Sequence, residues 1–285
     1  MGYEQIIYTV ADRIATITLN RPERLNAWTR VMMKEVLHAL DEADRDDSVR
    51  VVMFTGAGRA YCAGAELAAG GFTTSDNSET KKPHRDSAGQ ITLRMFNMKK
   101  PLIAAINGNA VGVGITMTMA MDIRIASESA AKIGFVFDRR GVVPEGCCTY
   151  FLPRIVGISR AAELILTGRL FSARDGLEMG LFSHVTTPEE LIPTVTRIAR
   201  EIADNTSAVS TALSRQMLWK MLGERHPMHA HIIESKAFGY MLTSHDAKEG
   251  VASFMEKRPP EFAMKPSRDM PAFYPWWEDP PYQDG

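Results

Sequence analysis

Two short stretches, about fifty residues apart, constrain this chain more than any other feature. The first is Thr55-Gly56-Ala57-Gly58-Arg59-Ala60-Tyr61-Cys62-Ala63-Gly64-Ala65-Glu66-Leu67, the second Ala105-Ile106-Asn107-Gly108-Asn109-Ala110-Val111-Gly112-Val113-Gly114. Each follows a β-rich apolar run, Val51-Val52-Met53-Phe54 and Leu102-Ile103-Ala104-Ala105-Ile106, so each reads as a strand that ends in small residues. Small residues let a backbone N–H approach a ligand closely. Two such N–H groups aimed at one oxygen make an oxyanion hole, in which a single donor is worth about 3 kcal/mol.

The flanking pattern fits a layered α/β chain. Ile6 to Thr9 and Ile14 to Leu19 read as β-branched strands joined by a polar turn at Ala11-Asp12-Arg13. Thr29 is placed to cap a helix, because apolar Val31, Met32, Val36, Leu37 and Leu40 follow with helical spacing. Val49 to Thr55 is the next strand, and a helix bearing Ile91, Met95 and Phe96 precedes the Leu102 strand. Strand–helix–strand order with parallel crossovers argues α/β, and both a doubly wound sheet and a spiral of repeated units satisfy it. The second motif runs into a helix over 113–120. From about Glu189 the pattern is helical throughout, over 188–204, 207–222, 227–242 and 245–256. Residues 70–82, rich in Gly, Ser, Thr and charge, read as a mobile flap beside the first motif or as a plain surface loop. The tail Pro266 to Gly285 is too rich in proline for a helix. It packs on a neighbouring subunit as an extended arm or stays disordered, and the adjacent Trp276 and Trp277 favour packing.

Charge argues against several partners. A net charge of −1 gives no field that recruits nucleic acid or a membrane surface. Residues 29–47 carry Arg30, Lys34 and Arg45 against Glu35, Asp41, Glu42, Asp44, Asp46 and Asp47, a helix that repels phosphate. No apolar run approaches the roughly 18 residues of a membrane span, and no leader-like pattern opens the chain. Three cysteines, two of them adjacent at Cys147 and Cys148, make neither a disulfide framework nor a metal-ligand spacing. The expectation is a cytoplasmic chain with no metal.

The two motifs resemble the crotonase superfamily, the enoyl-CoA hydratase/isomerase fold, and the resemblance runs from about Tyr3 to Phe262. Asn20-Arg21-Pro22-Glu23-Arg24-Leu25-Asn26-Ala27 looks like the family's N-terminal signature. Ala126 four residues after Asp122, and Leu166-Thr167-Gly168-Arg169, match it as well. The resemblance implies a spiral of ββα units over residues 1–200 that holds the CoA and acyl site. It further implies a helical region over 201–265 through which subunits associate as a trimer, often paired into a hexamer, ahead of the tail at 266–285. It implies an acyl-CoA substrate, with CoA part of the substrate and no separate cofactor. By the same resemblance the oxyanion donors map to the backbone N–H of Ala65 and Val113. Arg24 and Ala27 match positions that cradle the CoA, and Ala63, Ala65 and Leu67 match those that hold its adenine and pantetheine. Phe238 and Lys257 match positions that a neighbouring subunit adds at the CoA end. In the plainer reading, Phe238 is helix core and Lys257 a solvated charge.

The general base is the open question. Hydratases of this family use two glutamates, which would fall at Thr116 and Phe137, and neither is a carboxylate. Val143-Pro144-Glu145-Gly146-Cys147 instead resembles the stretch of Δ3,Δ2-enoyl-CoA isomerases whose glutamate is the single acid/base, and Tyr150-Phe151-Leu152-Pro153-Arg154 fits that branch. The expected reaction is double-bond migration through an enolate with Glu145 as base. Asp138, beside Phe137, is the reserve carboxylate. Hydration, another reaction of the superfamily, and a CoA-binding scaffold without turnover are the alternatives. In the plainer readings, Glu145 is a charge at a helix N-terminus and Asp138 joins an ion-pair cluster with Arg139 and Arg140. A helix end lowers the pKa of Glu145 and an apolar pocket raises it, and the sequence does not say which prevails. Cys62 reads as packing, Cys147 and Cys148 as lining of the acyl side, and His84 as a bystander near the flap.

Overall fold

The computed structural model describes residues 2–67 and 84–282, so the segment read as a flap, 70–82, lies outside the described residues. The chain opens as a hairpin. Strands β1 (Ile6–Ala11) and β2 (Ile14–Leu19) pair antiparallel across Asp12 and Arg13, whose φ of +49° and +64° give the left-handed pair that two-residue hairpins need. Helix α1 (Arg30–Arg45) follows, with the Thr29 hydroxyl accepting from the Met32 N–H at 3.0 Å. Three strand pairs come next: β3 (Val51–Gly56) with β4 (Ala60–Cys62), β5 (Leu102–Ile106) with β6 (Asn109–Val111), and β7 (Ile123–Ser127) with β8 (Ile133–Gly134). Each pair leads to a helix, namely α2 (Ser87–Phe96), α3 (Val113–Thr116) and α4 (Cys148–Val156). Beyond them lie α5 (Ile158–Thr167), α6 (Ala173–Glu178), β9 (His184–Thr186), α7 (Pro188–Asn205), α8 (Ala208–Met221), α9 (Pro227–Leu242) and α10 (His245–Glu256).

The first strand of each pair joins a sheet of order β1-β2-β3-β5-β7-β9, and the second joins a small sheet of order β4-β6-β8. Every ββα repeat therefore advances one strand along both sheets. That arrangement is the expected spiral and not a doubly wound sheet. Burial follows the strand alternation. Val52, Phe54, Leu102, Ala104 and Ile106 enter the main core, while Val51, Met53, Ile103 and Ala105 face the other way, into a core closed by Leu191, Val195, Ala199 and Ala203 of α7. The boundary expected at residue 200 thus falls inside α7, because this helix roofs the large sheet and belongs to the spiral. The helix expected over 113–120 is a four-residue α-helix that tightens into a 3-10 turn at Met117–Ala120.

The C-terminal layer is tied to the spiral through one buried ion pair. Arg215 of α8 reaches Asp122 at 2.8 Å and the carbonyls of Met98 and Met95 at 2.6 and 2.8 Å, and Asp122 also accepts from the Leu102 N–H at 2.7 Å. The tail packs on its own chain. Met264, Met270, Phe273, Tyr274 and Trp276 cover Val209, Leu213 and Ala237 of α8 and α9. Beyond them the tail follows α2. The Asp279 carboxylate accepts from the Asn97 amide at the end of α2, and the Tyr282 hydroxyl donates to the His84 carbonyl at 3.1 Å just before its start. Arg85 lies over the Tyr282 ring at 5.0 Å.

Asn26 ties the N-terminal segment to the β3–β4 turn. It is fully buried, donates to the Ala60 and Ala57 carbonyls at 2.8 and 2.9 Å, and accepts from the Arg21 N–H at 2.8 Å. Asn26→Ala leaves those groups without partners and should lower stability by about 2–4 kcal/mol, read as a drop in the urea midpoint at unchanged slope.

Candidate active site

The two glycine-bearing turns meet. Asn107, just past β5, fixes the turn that leads into β4, its Oδ1 accepting from the Gly56 N–H at 3.0 Å and its Nδ2 donating to the Gly58 carbonyl at 2.9 Å. Parallel pairing of β4 with β6 then carries both turns to the same end of the small sheet. There Gly64 has φ +107° and Gly112 φ +57°, ψ −124°, conformations that an L side chain resists. A Cβ on Gly64 would sit 3.1 Å from the Val111 carbonyl oxygen, and one on Gly112 would sit 3.9 Å from the Gly64 Cα. A Cβ on Gly114 would fall 2.2 Å from the Cys62 carbonyl oxygen, so α3 can seat itself here only with glycine at that position.

This contact sets Ala65 and Val113, the residues that follow Gly64 and Gly112, beside one another. Ala65 bridges Trp28 in parallel, with Trp28 N–H to Gly64 O at 2.8 Å and Glu66 N–H to Trp28 O at 3.0 Å. A residue flanked in this way turns its own N–H to the opposite edge. Val113 is the first residue of α3, and the Gly112 carbonyl is taken by the Ile115 and Thr116 amides. Among the described residues neither the Ala65 nor the Val113 N–H donates to a protein acceptor.

Glu145 meets α3, the helix that Val113 opens. The Thr116 hydroxyl, three residues after Val113, donates to its Oε1 at 2.6 Å. Glu145 precedes the N-cap of α4, which is Cys147 in a left-handed conformation, so its carboxyl does not cap that helix. Burial pushes the Glu145 carboxyl up to about 7. The Thr116 hydroxyl and the Ala88 amide work against that rise, and the neighbouring Asp86 adds to it. The apolar surroundings therefore prevail over the helix end. Burial also pushes the Cys62 and Cys148 thiols up to about 12 and raises Cys147, which leaves all three protonated at neutral pH.

Asp138 faces solvent. It is exposed and opens a 3-10 turn, while its neighbour Phe137 occupies the buried position and accepts from the Arg140 and Val142 amides through its carbonyl. Among the described residues Asp138 makes no ion pair. Arg139 instead donates to the Thr167 carbonyl at 2.6 Å.

The positions matched to CoA binding divide into two groups. Ala63 donates to the Leu25 carbonyl at 3.0 Å, and Ala27 donates to that of Arg24 at 3.0 Å, so Arg24, Ala27, Ala63 and Ala65 line one edge, with exposed Leu67 beyond them. Phe238 on α9 and Lys257 at the end of α10 are exposed on the helical layer, and Phe238 is 66% accessible. Val251, Phe254 and Met255 of α10 are likewise more than half exposed. Two further residues emerge that the sequence reading did not single out. Arg21 joins the edge by donating to the Ala27 carbonyl at 2.8 Å and pairing with Glu66 at 2.9 Å. Asp86 joins the Glu145 cluster, its Oδ1 accepting from the Gly146 N–H at 3.1 Å. Its only local signal is that of a helix cap, a carboxylate just before Ser87.

Comparison with known proteins converges on one family. Residues 9–265 match the family model described as enoyl-CoA hydratase/isomerase. The chain is 44% identical over 253 residues to the enoyl-CoA hydratase ACTT3 of Alternaria alternata, covering 88% of this chain and 83% of that one. It is 32% identical to the 1,2-epoxyphenylacetyl-CoA isomerase of Escherichia coli strain K12, covering 92% and 99%. Among solved structures, a probable enoyl-CoA hydratase/isomerase from Mycobacterium abscessus superposes with a TM-score of 0.82 at 32% identity, covering 90% of this chain and 98% of that one.

The raised Glu145 carboxyl has a consequence for stability. The folded chain holds the Glu145 proton up to about pH 7, whereas an unfolded glutamate releases it near 4.5, so folding is favoured below 4.5 and loses that contribution as pH rises through 7. The difference in Tm, Glu145→Gln minus wild type, should therefore be larger at pH 8 than at pH 5 in scanning calorimetry.

Proposed function

The chain belongs to the enoyl-CoA hydratase/isomerase family of enzymes, and we propose that it binds an acyl-CoA thioester and moves a double bond within the acyl group, with Glu145 as the base. The observation that carries this reading is one carboxyl, raised by burial to about 7 and bonded to α3, whose first amide, like that of Ala65, has no acceptor among the described residues. The positions where a hydratase of this kind carries its glutamates hold Thr116 and Phe137, and Thr116 instead serves to orient Glu145.

In the proposed reaction the thioester oxygen sits between the Ala65 and Val113 N–H groups. The C2–H bond breaks, its proton passes to Glu145, and its electron pair moves through the carbonyl to leave a dienolate on that oxygen. Fixed donors stabilise this anion without reorganising. The Glu145 O–H bond then breaks as a C4–H bond forms and the carbonyl is restored. One carboxyl serves both carbons, and a base poised near neutrality is matched to the task. Arg24, Ala27, Ala63, Ala65 and Leu67 hold the CoA, and Phe238 and Lys257 reach the CoA end from a neighbouring subunit. Association as a trimer, or a pair of trimers, covers the apolar surface around Phe254.

A second reading, hydration, is supported by the Asp86 carboxyl beside Glu145, because water addition employs two acid/base groups. Separate incubations with 3-enoyl-CoA and 2-enoyl-CoA distinguish the two. Isomerisation gives rising conjugation absorbance from the first. Loss of that absorbance from the second, with 3-hydroxyacyl-CoA as product, overturns it in favour of hydration.

Glu145→Gln should lower kcat on 3-enoyl-CoA about 10²–10⁴-fold, and turnover unchanged in this variant would remove Glu145 from the mechanism. Val113→Pro deletes one oxyanion N–H at the first helical position, where proline is tolerated. It should lower kcat about 10²–10³-fold with little change in Tm. Phe254→Glu should shift sedimentation towards monomer.

A further inference from the structure

Asp86 and Glu145 approach one another from opposite sides of the cluster. Asp86 caps α2, and its Oδ1 accepts from the Gly89 N–H within that helix and from the Gly146 N–H at 3.1 Å. Gly146 is the residue after Glu145, so one backbone bond fixes the loop that carries Glu145 to the start of α2. A Cβ on Gly146 would lie 3.0 Å from the Thr116 Oγ1 and 3.2 Å from the Ala88 Cβ, which leaves the α2 start, the Glu145 loop and α3 no slack. Asp86 is thereby held against the residue next to Glu145, and its carboxylate adds to the rise of the Glu145 carboxyl.

Their surroundings differ. Asp86 has two backbone donors and the positive end of α2, an environment built for an anion. Glu145 has the Thr116 hydroxyl and the Ala88 amide, yet it is buried deeply enough that these do not offset its lost hydration. Two carboxylates so close resist ionising together. Among the described residues the remaining titratable groups on Glu145 are thiols, Cys62 from β4 and Cys147 and Cys148 from the start of α4, and these stay neutral near pH 7.

We propose that Asp86 is the positioning residue of Glu145, and that the two form an acid pair which takes up and gives back a single proton, with Glu145 the member that meets the acyl group. This rests on the reading of Glu145 as the base. When Glu145 receives the C2 proton, the Asp86 carboxylate accepts a hydrogen bond from the new carboxylic acid. When Glu145 gives the proton to C4, the pair returns to two anions. Asp86 exchanges no proton with the substrate and acts only through its neighbour.

Asp86→Asn tests the proposal, because asparagine caps helices as well as aspartate and keeps an oxygen for the Gly89 and Gly146 amides. The acidic limb of the kcat/KM profile on 3-enoyl-CoA, expected near pH 7 in the wild type, should move down by about one pH unit or more. The Glu145 carboxyl resonance, assigned by its loss in Glu145→Gln, should move equally in a ¹³C NMR titration without substrate. Asp86→Ser, also a good cap, should reproduce the shift should the asparagine variant fold poorly. An unmoved limb and an unmoved titration, with only Tm lowered, would make Asp86 a plain helix cap and overturn the pair. Failure of the functional reading looks different: turnover would survive Glu145→Gln, while the titration would still report whether the pair exists.

Discussion

Everything at the centre of this molecule depends on two backbones touching where no side chain intervenes. Gly64 lies against the Val111 carbonyl and Gly112 against Gly64, while Gly114 admits the Cys62 carbonyl. The contact cannot be adjusted by side-chain rotation, so its geometry is inherited from the strands beneath. The β4–β6 pairing sets the lateral spacing, and Asn26 and Asn107 fix the preceding turn from two sides. A pair of amide donors held this way needs no rearrangement to meet a developing negative charge, which is the condition under which such donors are most effective. It also explains why two separate sheets are useful: the large one supplies the rigid floor, and the short strands deliver the turns to one edge.

The electrostatics of the cluster follow from what the fold excludes. A carboxylate beside an apolar helix face loses hydration, and the Thr116 hydroxyl and the Ala88 amide only partly replace it. The same burial that raises Glu145 silences the three thiols around it, so among the described residues here Glu145 is the group that changes charge near neutrality. Chemistry by a thiol would need a cation or a base against the sulfur, and the thiols here meet carboxyl groups that push their titration further up.

Much of this was legible in the sequence, and the limits are physical. The hairpin, the Thr29 cap and the C-terminal helices depend on neighbours a few residues away, so their signals are local. The choice between a spiral and a doubly wound sheet was not local, because β4, β6 and β8 are three, three and two residues long, too short to carry a period. The resemblance, not the pattern, pointed to the spiral. Ala65, Val113 and Glu145 were singled out through motif spacing, and the fold sets Val113 and Thr116, the hydroxyl partner of Glu145, on one short helix. Asp86 escaped because its visible signal is a cap, while its second partner, Gly146, is sixty residues away. Asp138 was offered as a reserve because a slip of one residue in a loop is easy to imagine on paper. In the fold, the Phe137 ring is held in the main core and its carbonyl is committed to two amides, which fixes the exposed position for Asp138.

The tail that runs back along α2 brings aromatic rings to that helix from outside, and the core brings others from within. Trp28 donates to the Ser87 hydroxyl at its first turn, and Trp219 packs on Phe96 at its last. Lys220 is sandwiched between Phe96 and Trp277, and Trp276 stacks edge-on against Trp277. These are all four tryptophans of the chain. The intrinsic fluorescence of the protein is therefore a report on one helix, the one whose first turn carries Asp86, and a ligand that shifts α2 would announce itself in the emission spectrum without any added label.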